Sequence, residues 1–130
     1  MSLNNPLANA LSTLNNIRNR GANEAVVKPA SKVIKSVLDL LKTEKYIDSY
    51  EYIDNQKGGL FLVKLKGAIN KIGAIRPNYP IAITEIEKFE KRYLPGKDFG
   101  RLIISTNKGI LTHVEAKKQN TGGILLAYVY

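Results

Sequence analysis

Apolar positions in the opening stretch recur at helical spacing. Leu7, Ala10, Leu11, Leu14 and Ile17 lie on one side of a 3.6-residue repeat and predict an amphipathic helix. Asn5-Pro6 supplies its start, a capping side chain followed by a residue whose missing N–H costs nothing in the first turn, and Gly21 stops it. Glu24 to Lys28, with Ala25, Val26 and Val27, reads as a short strand. Pro29, Ala30 and Ser31 then introduce a second helix, with Val33, Ile34, Val37, Leu38 and Leu41 as its buried stripe and Lys32, Lys35, Asp39 and Lys42 on the solvated side. From Ser49 the period changes to two. Tyr50, Tyr52 and Asp54 alternate with Glu51 and Ile53, a turn spans Asn55 to Gly59, and Leu60 to Lys66 returns as the second strand of a hairpin.

Residues 67–73 form a glycine-bounded join, which places a boundary between a subdomain at 1–68 and another at 69–130. The second begins with a short strand at Ala74 to Arg76 and a stretch broken by Pro77 and Pro80. Thr84 and Glu87 are spaced as a capping box ahead of Ile86, Phe89 and Tyr93, predicting a helix that Leu94, Pro95 and Gly96 end. Leu102, Ile103 and Ile104 predict a fully buried strand running into the polar segment Ser105-Thr106-Asn107-Lys108-Gly109. Thr112 and Glu115 form a second capping box, for a short helix that stops before Gly122-Gly123, and Ile124 to Tyr130 is the last strand. The expected fold is α+β in two small subdomains, N-terminal αβαββ and C-terminal mostly β with two short helices.

Composition narrows the function. The chain has 130 residues, 44% of them hydrophobic, and no cysteine, which excludes a disulfide scaffold, a thiolate metal site and a cysteine nucleophile. No apolar run reaches the ~18 residues of a spanning helix, and Met1-Ser2-Leu3-Asn4-Asn5 lacks the charged start of an export signal, so a cytoplasmic protein with no membrane partner is expected. Twenty Lys and Arg against eleven Asp and Glu give +9, the balance of a protein that meets a polyanion. Cut at residue 60, the halves hold eight basic and six acidic side chains, then twelve and five. The second half is therefore expected to lead the binding.

Catalysis has little to build on. His113 is the single imidazole, and its place just after the Thr112 cap predicts a surface position in a first helical turn. Glu85, Glu87 and Glu90 are explained by capping and by a Glu87–Lys91 pair four residues apart. Gly58-Gly59 lies in a hairpin and Gly122-Gly123 precedes a strand, so neither is a strand-to-helix phosphate loop. Lys57 to Val63 does not match the aromatic strand of single-strand RNA readers, because Leu60 and Leu62 stand where rings are required. Ser105 to Gly109 is better suited to binding: short hydroxyls and an amide can reach base edges and 2′-hydroxyls, and Lys108 a phosphate. The plainer alternatives are a polar turn, with Asn107 tolerating a left-handed backbone, and a Gly122-Gly123 that either stops a helix or admits another backbone.

The run Gly100-Arg101-Leu102-Ile103-Ile104-Ser105-Thr106-Asn107-Lys108-Gly109-Ile110-Leu111, followed by Glu115-Ala116-Lys117, closely resembles the signature of the small-subunit ribosomal protein eight family. Pro6 to Leu11, Lys28 to Lys32, Tyr46-Ile47 and Gly122 to Tyr130 resemble that family in the same order. Phe89 to Pro95 with Asp98-Phe99-Gly100 looks like its archaeal and eukaryotic branch, and the short chain suits an archaeal source. The resemblance implies a ribosome-bound protein that binds the central domain of small-subunit rRNA, helps it fold, touches neighbouring ribosomal proteins, and needs no cofactor or small-molecule substrate. It implies that Ser105, Thr106 and Asn107 contact an irregular RNA helix in its minor groove. By the same resemblance Lys108, Gly109, Glu115, Gly122 and Gly123 surround that surface, and Lys28, Ser31 and Lys32 meet RNA backbone. Two positions depart from the family: Asn5 stands where Asp is frequent, and Asn107 where a smaller residue is usual.

Two readings from other classes compete. A DNA-binding transcription factor would use helix two as its most basic element. A protein–protein module would use Tyr50, Tyr52 and Tyr79, and its binding would depend little on salt.

Overall fold

The computed structural model describes residues 6–28, 30–96 and 99–130, without the side chains of Arg76 and Pro77. Asn5, Pro29 and Asp98 lie outside that set. The chain divides into two compact units, 1–72 and 73–130.

The first unit runs α1 (Pro6–Asn19), β1 (Glu24–Val27), α2 (Lys32–Thr43), β2 (Ile47–Ile53) and β3 (Leu60–Leu65), the expected αβαββ order. Its antiparallel sheet has the order β1-β3-β2, with Val27 opposite Phe61 and Phe61 opposite Tyr52. Leu7, Leu11 and Leu14 of α1 and Ile34, Val37, Leu38 and Leu41 of α2 are buried with Ala25, Val27, Phe61 and Val63. The stripe on α2 is narrower than the sequence suggested: Val33 is 46% exposed, because it lies about 100° around the helix from Ile34.

Both helices close in the same way. The Ala22 N–H reaches Ile17 O (3.2 Å) and the Gly21 N–H reaches Arg18 O (3.0 Å), with Gly21 at φ 73°, which is a Schellman end. Tyr46 N to Leu41 O (2.8 Å) and Lys45 N to Lys42 O (3.0 Å) repeat it on α2, with Lys45 at φ 68°. The segment after β3 is pinned to α1: Arg18 Nε donates to Ile69 O (2.9 Å), and Ile72 N to Asn15 Oδ1 (3.4 Å).

The second unit takes up the chain within β4 (Ile72–Ile81), from Gly73 on, and contains a 3-10 turn (Ile83–Glu85), α3 (Ile86–Tyr93), β5 (Arg101–Thr106), β6 (Gly109–Thr112), α4 (His113–Lys118) and β7 (Gly123–Val129). The sheet order is β4-β7-β5-β6. Leu102, Ile103 and Ile104 are buried on both faces, as their apolar run implied. Ile103 faces Ala127 and Ile104 faces Leu125, so Leu126 is the extra residue of a β-bulge. A row of rings flanks the core: Tyr79 on Phe89 (5.0 Å), Phe89 on Tyr93 (6.4 Å), Tyr93 on Tyr128 (5.5 Å) and Tyr128 on Tyr130 (6.3 Å), with the Arg92 guanidinium 5.6 Å from the Tyr93 ring.

Several local expectations are corrected. Ile72 to Ile81 is one strand rather than a short strand and a broken stretch; β4 is at the sheet edge, where a proline's missing N–H need not cost a ladder bond. Thr84 is not a cap, since it lies inside the 3-10 turn, and Glu85 Oε1 accepts the Ala82 N–H at 2.9 Å instead. Gly109 to Thr112 forms a further hairpin strand, β6, which the sequence pattern does not reveal. The Thr112 cap is present and accepts from Glu115 N at 3.2 Å, but His113 behind it is 3% exposed rather than at the surface. Asn120, at φ 54°, ends α4 in a third Schellman pattern, with Thr121 N to Ala116 O at 3.0 Å, so Gly122-Gly123 is not the helix stop.

Candidate nucleic-acid interface

β5 and β6 meet at a tight turn of Thr106, Asn107, Lys108 and Gly109, with Thr106 paired to Gly109. The left-handed residue is Gly109, at φ 112°; Asn107 is not left-handed, contrary to the turn alternative. Thr106 closes the turn on itself. Its hydroxyl donates to Gly109 O at 2.8 Å and accepts from Lys108 N at 3.1 Å. Having spent its proton, the hydroxyl keeps one acceptor position. A remaining acceptor of this kind can take a hydrogen bond from an amino or hydroxyl donor. Ser105 precedes it, half-buried, with no side-chain hydrogen bond among the described residues. Asn107 and Lys108 are exposed at the tip.

Gly123 lies against this strand end. A Cβ there would collide with Ser105 O, and one on Gly122 would lie 2.6 Å from Ile81 O. The glycine pair thus admits two other backbones of the same unit. α4 carries the chain from Thr112, opposite Ile103, back to Gly123 beside Ser105. Ser105, Thr106, Lys108, Gly109, Gly122 and Gly123 are accordingly gathered at one end of the sheet. Glu115 is engaged by its own helix, giving its N–H to Thr112 and lying 3.9 Å from Lys118 Nζ.

In the first unit, Lys28 is exposed after β1 and Lys32 is the exposed first residue of α2. Ser31 is the N-cap of α2 and accepts the Ile34 N–H at 3.2 Å, so its hydroxyl has a structural duty. Lys35 Nζ is 3.2 Å from Asp39 Oδ2, and the Tyr50 hydroxyl donates to Asp39 Oδ1. The hydrogen bond with Asp39 raises the Lys35 pKa; burial first, then the bond to Asp39, raises that of Tyr50. Beside this triad, a groove of about 480 Å³ is bounded by Lys32, Lys35, Tyr50, Tyr52 and Phe61. Their period of two puts Tyr50 and Tyr52 on one face, and the sequence suggests that face only as a protein interface. Tyr79, its third member, instead packs on Phe89 in the second unit.

Charge is shared more evenly than the cut at residue 60 suggested. Residues 1–72 carry eleven basic and six acidic side chains, and 73–130 carry nine and five, for +5 and +4. Lys64, Lys66 and Lys71 belong to the first unit. Neither unit leads by charge.

Among the described residues no set of three or more His, Asp or Glu could hold a metal, and no helix is long and apolar enough to cross a membrane. A basic α+β scaffold with a self-closed polar turn fits the class of nucleic-acid-binding proteins. The family model described as ribosomal protein S8 matches residues 5–130, and the chain belongs to that family. It is a structural ribosomal protein, not an enzyme; it binds rRNA, acts in translation as part of the small subunit, and assembles with other ribosomal proteins. The reading of α2 as a DNA-recognition helix finds no support.

Proposed function

We propose that the chain is a primary binder of the central domain of small-subunit rRNA, of the archaeal type suggested by Phe89 to Pro95, and supports the folding of that RNA in the cytoplasm. The observation that carries this is the self-closed turn at Thr106, which presents Ser105, an acceptor on Thr106, and Asn107 and Lys108 at the end of a strand buried on both faces. A rigid mount of this kind favours reading of irregular RNA over charge attraction alone. Lys108 and Gly109 belong to the same end, as do Gly122 and Gly123, whose lack of side chains keeps that end thin; Glu115 flanks it. Lys28, Ser31 and Lys32 form a second contact, to RNA backbone.

The deciding experiment is chemical footprinting of the protein on full-length small-subunit rRNA. Protection confined to one irregular helix of the central domain is expected. Protection spread over regular duplexes would reduce the reading to non-specific phosphate binding.

A further inference from the structure

The groove in the first unit has a chemistry that backbone contacts do not use. Tyr52 is 57% exposed, although it lies on the face of β2 that carries the core. Its ring meets Phe61 edge-on (5.9 Å, 64°), and Phe61 meets Tyr50 in the same way (5.4 Å, 89°). Gly59, at φ 76°, lets the ring settle on the turn backbone, where any Cβ would collide with it. The ring is thereby held on one side and open on the other.

The rim is cationic. Lys32 and Lys35 line the groove, no carboxylate among the described residues does so, and Asp39 at its end is engaged by Lys35 and Tyr50. An apolar ring beside the Lys32 ammonium, which makes no ion pair among the described residues, suits a ligand with a flat π face joined to a phosphate. We propose that this groove stacks an unpaired nucleobase of a single-stranded RNA segment on Tyr52, with Lys32 on the adjoining phosphate. Stacking is indifferent to base identity, because every base has a π face. The inference rests on the reading that Lys28, Ser31 and Lys32 face RNA, and adds that the RNA there is unpaired.

The test uses the full chain, as wild type and as Tyr52→Leu, Tyr52→Phe and Lys32→Gln. Each is titrated by fluorescence anisotropy into an unstructured adenosine-rich RNA strand, a regular RNA duplex and a small-subunit rRNA transcript. Thermal melts check folding. Tyr52→Leu should weaken single-strand binding about ten-fold, Tyr52→Phe should stay within about two-fold of wild type, and neither should alter duplex binding. A bromouridine-substituted strand should crosslink to Tyr52. If the transcript is bound normally while Tyr52→Leu leaves single-strand binding unchanged, the stacking site is overturned and the rRNA reading stands. If wild type fails to bind the transcript, the rRNA reading falls first. Equal losses on strand and duplex would mean that the groove acts only through charge, which also overturns stacking. Salt-insensitive capture of another ribosomal protein that Tyr52→Leu abolishes, with single-strand binding intact, would assign the groove to a protein partner.

Discussion

Leu102 donates its backbone N–H to Nδ1 of His113 at 3.0 Å, inside the second unit's core. Nδ1 must be unprotonated to accept, which leaves the proton on Nε2, facing Glu90 Oε1 at 3.6 Å. Glu90 is also held by Lys117 Nζ. The imidazole thus ties α4 to β5 and α3. Replacing His113 with Ala leaves a buried donor unpaired and a cavity, and should cost about 2–4 kcal/mol in urea unfolding. RNA affinity, measured where the variant is folded, should hardly change.

Ser105 and Thr106 should separate under mutation. Thr106→Ala loses two turn hydrogen bonds and should lower stability by about 0.5–1.5 kcal/mol as well as weakening RNA binding, while Thr106→Ser should restore both. Ser105→Ala should leave the melting temperature in place and cost about 1–3 kcal/mol against the cognate rRNA element alone. Calorimetric titrations paired with melts distinguish them. Equal stability losses in both variants would mean that Ser105 also supports the fold.

Glycines of two kinds should respond differently. Gly109→Ala meets nothing within 4 Å but must hold φ 112°, a strain of about 1–2 kcal/mol. Gly123→Ala drives a methyl into Ser105 O and should cost about 3 kcal/mol or more, with loss of RNA binding because the strand end is displaced. Lys45→Gly should instead stabilise by roughly 0.5–1 kcal/mol, because it relieves the left-handed residue that ends α2. Denaturant midpoints measured side by side give all three signs.

RNA binding should weaken steeply with salt, with a log–log slope of roughly −3 to −6 for four to seven phosphate contacts. Lys28→Gln and Lys32→Gln should each reduce that slope by about one. The near-equal charges of the two units imply further reductions from substitutions in the second, such as Lys108→Gln.

At high pH the Asp39 triad should fail. Tyr50 and Lys35 both have raised pKa values, so the folded state holds their protons more tightly than the unfolded chain. Their contribution is complete below pH 10 and is lost as pH rises through the folded values. A tyrosinate titration followed in the ultraviolet should show Tyr50 ionising later in the folded protein than in the unfolded chain. Asp39→Asn should shrink that difference without abolishing it, since burial is the larger cause.

The first unit was legible because its cues were local. Helical spacing from Leu7 to Leu14, the Ser31 cap and the period-two run from Tyr50 each depend on neighbours a few positions away. The second unit was less so. The strand through Pro77 and Pro80 is permitted by its place at a sheet edge, which no local pattern reveals. The four residues of β6 are too few to show a period. His113 lies after a cap, as surface residues do, and only the arrival of Leu102 from eleven positions earlier makes it interior. The run Ser105 to Gly109 is legible as a polar turn, but the internal hydrogen bonds of Thr106 depend on turn geometry and cannot be read from composition.

β7, the strand of this sheet that comes last in sequence order, occupies an inner position between β4 and β5. During synthesis, then, the second sheet has only the β5–β6 hairpin and an unpaired β4 until Gly123–Val129 has emerged. A nascent chain halted just after α4 would carry the whole polar turn yet lack the strand that braces it. Acquisition of binding should therefore be abrupt, coinciding with the emergence of this seven-residue strand.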